Sequence, residues 1–121
     1  MKDFEHLQGR TKRFALRIIK LYRSLPKSEE ARILGKQLLR SGTSIGANYR
    51  AACRARSRAE FVAKLGIVLE EADESAFWLD LMHEAGVFPE EKLQDIVREA
   101  KELVSIFVAS VRTAKGPTSS I

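Results

Sequence analysis

One cysteine, Cys53, stands in the whole sequence. That excludes an internal disulfide and any cysteine-cluster metal site. Histidine is nearly as scarce, with His6 and His83 alone. No apolar run approaches the roughly 20 residues needed to span a bilayer. The opening residues Lys2, Asp3, Phe4, Glu5 and His6 carry acids and no hydrophobic stretch, so no secretory signal is expected. These features together predict a cytoplasmic protein without a membrane partner. Glycine-rich phosphate loops of the usual spacing are missing, as are the common hydrolase motifs. No alternating strand pattern, internal repeat or low-complexity tract competes with what is present.

What is present is charge and helical periodicity. At 121 residues the chain is one domain by length, with a modest core. Its net charge of +5 hides an asymmetry. Residues 1–58 hold 15 Lys/Arg against 4 Asp/Glu, and residues 59–121 hold 6 against 12. Such a split predicts one positive and one negative surface. Either the two halves are neighbouring helices that attract each other, or the basic half also meets a polyanion.

Four amphipathic segments follow. The first helix is expected over residues 10–25, after a break at Gly9, with Phe14, Ile18, Leu21 and Leu25 on one face and Arg10, Arg13, Arg17, Lys20 and Arg23 on the other. Pro26 stops it. The second is expected over residues 28–55, with Ser28 as N-cap and Glu29 and Glu30 at the positive end of the helix dipole. Gly35, Gly42 and Gly46 each cost on the order of 1 kcal/mol against alanine inside a helix. Gly42 and Gly46 share a face and permit another helix to approach closely. One long helix with a local distortion near residues 41–46 is the favoured reading, against a break there. The third is expected over residues 58–85, opened by a capping box of Ser57 and Glu60 and closed by Gly86 in the left-handed position. It is apolar on more than one side, with Phe77, Trp78 and Leu81 off the main stripe. A helix of that kind must bury more than one side, which points to subunit contacts. The fourth is expected over residues 89–114, starting at Pro89, with a disordered tail over residues 115–121. Four such helices with short connections predict an all-α, antiparallel up-down-up-down four-helix bundle that assembles as a homo-oligomer. Gly42, Gly46, Phe77, Trp78 and Leu81 are its candidate interface residues.

The candidate chemistry lies at the end of the second helix. Arg50, Arg54 and Arg58 are spaced by four, so a helix that persists to residue 58 sets three guanidiniums on one side. Arg56 lies between them, and Lys64 sits about one turn into the next helix. Guanidiniums bind phosphate through a planar fork, and each contact releases counterions. These five residues are the candidate nucleic-acid site; the alternative is that they pair with Glu60 or with acids of a neighbouring subunit. Tyr49 reads as core rather than as a stacking platform. Glu70, Glu71, Asp73 and Glu74 form an acidic cluster, expected in solvent or against another subunit's arginines. Asp80 and His83 have the i, i+3 spacing of a bundle metal site, but the second pair it requires is missing. No metal, cofactor or catalytic residue is expected. Cys53 reads as a small packing residue.

The run Gln37-Leu38-Leu39-Arg40-Ser41-Gly42-Thr43-Ser44-Ile45-Gly46-Ala47-Asn48-Tyr49-Arg50-Ala51-Ala52 resembles the signature segment of the bacterial four-helix bundle proteins encoded in intervening sequences of 23S ribosomal RNA genes, also labelled S23 ribosomal proteins. Arg56-Ser57-Arg58-Ala59-Glu60-Phe61 and Glu70-Glu71-Ala72-Asp73-Glu74-Ser75-Ala76-Phe77-Trp78-Leu79 resemble the segment that follows. The resemblance implies a homopentamer. It also implies a distant similarity to the accessory protein of diversity-generating retroelements, a basic pentameric bundle that works with a reverse transcriptase and nucleic acid. Where many members carry proline this chain has Gly46, which should soften the helix. Where they carry Glu-Gly it has Arg50-Ala51-Ala52, which makes that face more basic. The expected function is that of a non-enzymatic oligomer with a basic, RNA-binding or other nucleic-acid-binding surface. The alternative is a scaffold for a protein partner that binds no nucleic acid.

Overall fold

The structure, a computed structural model, describes residues 2–116. Among them run four helices: α1 (Lys2–Arg23), α2 (Glu29–Cys53), α3 (Arg58–Glu84) and α4 (Glu90–Lys115). No strand occurs among the described residues. No helix there is long and apolar enough to cross a membrane. Consecutive helices pack on one another, while α1 and α4 meet at few points.

Most buried positions follow one rule on every helix. They are Thr11, Phe14, Ile18 and Leu21 on α1, and Gly35, Leu38, Gly42, Ile45, Tyr49 and Ala52 on α2. On α3 they are Leu65, Val68, Ala72, Ser75, Leu79 and Met82, and on α4 Leu93, Ile96, Ala100, Leu103 and Phe107. Steps of three and four alternate, giving a seven-residue repeat. Such a repeat keeps each seam aimed at its neighbour and favours shallow crossing angles of about 20°.

Local signals set most of the ends. The Ser28 side chain accepts the Ala31 N–H at 3.2 Å, and the Ser57 side chain accepts the Glu60 N–H at 3.1 Å. Gly86 adopts φ 69° just after α3, the left-handed turn expected of it. Pro89 is the N-cap of α4 rather than its first residue. Two boundaries differ more. Gly9 lies inside α1, which begins at Lys2, so the expected break is absent. One glycine weakens a helix without ending it when the turns on both sides hold. The tail expected over residues 115–121 begins inside α4, with Gly116 as C-cap at φ 84°; residues 117–121 lie outside the described residues. The favoured reading of α2 holds: it is one helix from Glu29 to Cys53. Its small polar side chains are tied back to it: Thr43 donates to the Leu39 carbonyl at 2.7 Å and Ser44 to that of Arg40 at 2.6 Å.

The glycines of α2 explain why that helix tolerates them. A Cβ on Gly35 would lie 2.5 Å from the Leu25 side chain and 3.1 Å from Tyr22. One on Gly42 would lie 2.8 Å from Ile18, and one on Gly46 3.3 Å from the Thr11 hydroxyl. The three form a stripe that lets α1 lie directly on the α2 backbone. The close approach expected at Gly42 and Gly46 is therefore made within the chain. Gly42 is buried by Ile18, which corrects its assignment to a contact between subunits.

On the α3 side, the hydroxyls of Ser41 and Ser75 meet at 3.0 Å in the buried seam, with the Leu38 and Glu71 carbonyls in reach. Tyr49 is buried and its ring lies 5.4 Å from that of Phe107, which confirms it as core.

Two glycine-to-alanine changes should differ in sign. Gly42→Ala should lower stability by about 1–3 kcal/mol, since branched Ile18 must move. Gly66, in α3, has nothing within 4 Å of where a Cβ would stand, so Gly66→Ala should raise stability by about 0.4–1 kcal/mol. Urea unfolding of both variants checks the pair, and equal shifts of one sign would contradict the packing described.

Candidate nucleic-acid interface

The arginine-rich corner is built by the end of one helix and the capped start of the next. α2 stops at Cys53, and the Arg54 backbone N–H turns back to the Ala51 and Ala52 carbonyls. Ser57, extended at φ −151°, then opens α3. Arg50 thus lies in the last turn of α2, Arg54 at its cap, Arg56 in the connection, and Arg58 at the first residue of α3. All four are exposed, and Lys64 is half-buried. The single face expected to carry Arg50, Arg54 and Arg58 is corrected here: the serine cap starts a new helix before the spacing can extend to Arg58. Arg58 instead lies beside Gly116, its guanidinium 3.5 Å from where a Cβ would stand there. That is the carbonyl end of α4, which favours a cation.

Arg50 and Arg54 join a partner that periodicity did not single out. Together with Lys12 of α1 they rim a groove of about 570 Å³ between α1 and α2. Its floor is made of Gly9, Ala15, Gly46 and Ala47, with Gln8 and Thr43 at the sides. No acid lines it, and among the described residues Arg50, Arg54, Arg56, Arg58, Lys64 and Lys12 form no ion pair. The small floor follows from the glycine-mediated packing, which keeps the two backbones close and the space above them open.

Several acids are engaged elsewhere. Arg10 of α1 donates to both oxygens of Glu99 on α4, each at 2.8 Å, and to Glu102 at 2.8 Å. These bonds hold the Arg10 guanidinium further above its already high value and hold Glu99 below the usual carboxylate range. Arg40 of α2 meets Glu71, at 3.4 Å, and Glu74. Glu74 also accepts the Trp78 indole N–H at 3.0 Å, and that bond, followed by Arg40, lowers its pKa. The acidic cluster expected in solvent or against another subunit is corrected in part: Glu71 and Glu74 bind an arginine of their own chain. Asp80 lies 3.6 Å from Lys101, so it faces a cation. No group of three or more His, Cys, Asp or Glu suited to a metal occurs among the described residues. Cys53 is half-buried against the core.

The apolar candidates fall on the outer side of α3. Phe77 is 56% exposed and Leu81 37%, while Trp78 is half-buried with its ring centroid 5.0 Å from that of Phe77. Ile33 of α2, 58% exposed, lies two turns from Arg40, as Leu81 lies two turns from Glu74. Ile33 lies beside the buried stripe of α2 rather than within it. Its exposure follows from the seven-residue seam, which passes through Ala31 and Gly35 instead.

A family model described as 23S rRNA-intervening sequence protein matches residues 5–109. Among solved structures, a protein of unknown function from the S23 ribosomal protein family of Bacteroides thetaiotaomicron is 37% identical, with a TM-score of 0.80. That match covers 87% of this chain and 97% of the other. No curated protein matches.

The Arg10–Glu99 pair has a measurable pH signature. Because the folded pKa of Glu99 is depressed, its contribution to stability is full above the unfolded carboxylate value of about 4.3. The contribution is lost as pH falls through the lower folded value. Glu99→Gln should lower stability at neutral pH by about 1.5 kcal/mol and flatten the decline seen below about pH 4. Denaturant titrations across the acid range test this, and an unchanged profile would sink it.

Proposed function

We propose, for a chain that belongs to the 23S rRNA-intervening sequence protein family, a non-enzymatic, cytoplasmic role as an oligomeric bundle that binds nucleic acid through its basic corner. The observation that carries this reading is the set of exposed cations at Arg50, Arg54, Arg56 and Arg58, none paired with an acid among the described residues. Four acids of α3 and α4, Glu71, Glu74, Glu99 and Glu102, are paired with Arg10 and Arg40 instead. Unmatched arginines attract phosphate and release its counterions. RNA is the favoured polymer, with Lys64 extending the surface onto α3.

The pairings of Gly35 with Tyr22 and Leu25, Gly42 with Ile18 and Gly46 with Thr11 support an antiparallel α1 and α2, the first step of an up-down-up-down order. Assembly is supported by the exposed apolar residues Phe77, Leu81 and Ile33 on one side of the bundle, with a homopentamer as the state that the sequence resemblance implies. The same apolar face supports a second reading, a scaffold that docks a protein partner without nucleic acid. Exposed apolar patches of this kind mark interaction sites.

Two experiments separate these readings. Arg50→Ala/Arg54→Ala/Arg58→Ala should weaken RNA binding in gel shifts, and should reduce the slope of log affinity against log salt by about 2–3. An unchanged slope with measurable binding removes the arginines from the site; absence of binding by the wild type favours the scaffold. Phe77→Glu/Leu81→Glu should convert the assembly to monomers in light scattering with helicity intact, and an unaltered mass would exclude that face as the contact.

A further inference from the structure

The geometry points to the groove between α1 and α2 as the seat for the phosphodiester backbone of one nucleic-acid strand, with phosphates at Lys12, Arg50 and Arg54 and the bases turned outward. This rests on the nucleic-acid reading above and narrows it from a surface to a site. The groove, of about 570 Å³, is rimmed by cations from two helices and lined by no acid. Its concave shape brings three positive charges around one path, so the field there is stronger than over an isolated arginine. Arg50 and Arg54 are separated by about 6 Å along the helix, a spacing that successive phosphates of a strand can follow.

The lining also says what the groove does not recognise. It holds no aromatic side chain, so the stacking platform on which single-strand binders lay bases is missing. The Thr43 hydroxyl is turned to the Leu39 carbonyl, leaving the Gln8 amide as the one side-chain amide in the lining. Guanidinium and ammonium groups over a floor of Gly46 and Ala47 fit a phosphate chain and carry no base code. The glycine contacts bring the flanking helices close, and a groove of about 570 Å³ between them suits one strand rather than a duplex. Arg56 lies past this groove in the connection, and Arg58 is turned to Gly116.

Ala47 gives the test, because it is exposed on the floor of the groove. Fluorescence anisotropy of the full chain with end-labelled oligouridylate and oligoadenylate would compare Ala47→Glu and Ala47→Lys with the same pair of changes at Gln94, exposed on α4. Ala47→Glu should weaken both oligomers about tenfold at low salt, Ala47→Lys should strengthen them about threefold, and the Gln94 changes should stay within about twofold. Inorganic polyphosphate should displace the label and free nucleosides should not. Equal effects at Ala47 and Gln94 would overturn the groove while leaving binding itself intact. Failure of the wild type to bind either oligomer would overturn the groove together with the reading beneath it. Tighter binding of a duplex hairpin, with the same sensitivity to Ala47→Glu, would overturn the single-strand assignment. Displacement by nucleosides would overturn the backbone assignment.

Discussion

The contact between α1 and the glycine stripe of α2 shapes the rest of the molecule. Gly35 and Gly42 leave no room for a side chain beneath Leu25 and Ile18, and Gly46 leaves little beneath Thr11. Drawing α1 onto α2 in this way leaves α1 and α4 meeting at few points. Polar chemistry bridges that side, through the three hydrogen bonds from Arg10 to Glu99 and Glu102. The same approach produces the shallow floor of the α1–α2 groove. One steric choice, repeated three times along a helix, thus fixes a tight seam, a bridged seam and a basic cleft.

Charge is distributed around that frame with little redundancy. The basic half of the chain forms α1 and α2, and the acidic half forms α3 and α4. Arg10 to Glu99 and Arg40 to Glu71 and Glu74 are the attractions between neighbouring helices that such a split implies. Arg40 is half exposed, so its pairs are screened and contribute little. The Arg10 pair is better covered and holds two helices that have few other contacts. The arginines of the α2–α3 corner form no ion pair among the described residues. Attraction along the seams thus coexists with a surplus of positive charge at one end.

Much of this was legible in the sequence, because helices announce themselves locally. The helical periodicity, Ser28 and Ser57 as caps and Gly86 as a left-handed stop all depend on neighbours within a few positions. The exposure of Phe77 and Leu81 was legible for the same reason, as apolar residues off the main stripe. What could not be read were facts about pairs of helices. The partner of Gly42 depends on which helix lies across it. Lys12 joins Arg50 and Arg54 only once Gly46 is set against Thr11, four residues apart on one helix from Arg50 and one residue from Lys12 on the other. Gly9 was misread because one weak helix former was taken as a boundary. Arg58 was misplaced because a spacing of four has meaning only within an unbroken helix.

Trp78 is the chain's one tryptophan. Its indole N–H is tied to Glu74 and its ring leans on exposed Phe77. The protein therefore carries a built-in optical reporter at the margin of its apolar face. Emission from that indole would register the polarity of whatever covers Phe77, without any label attached.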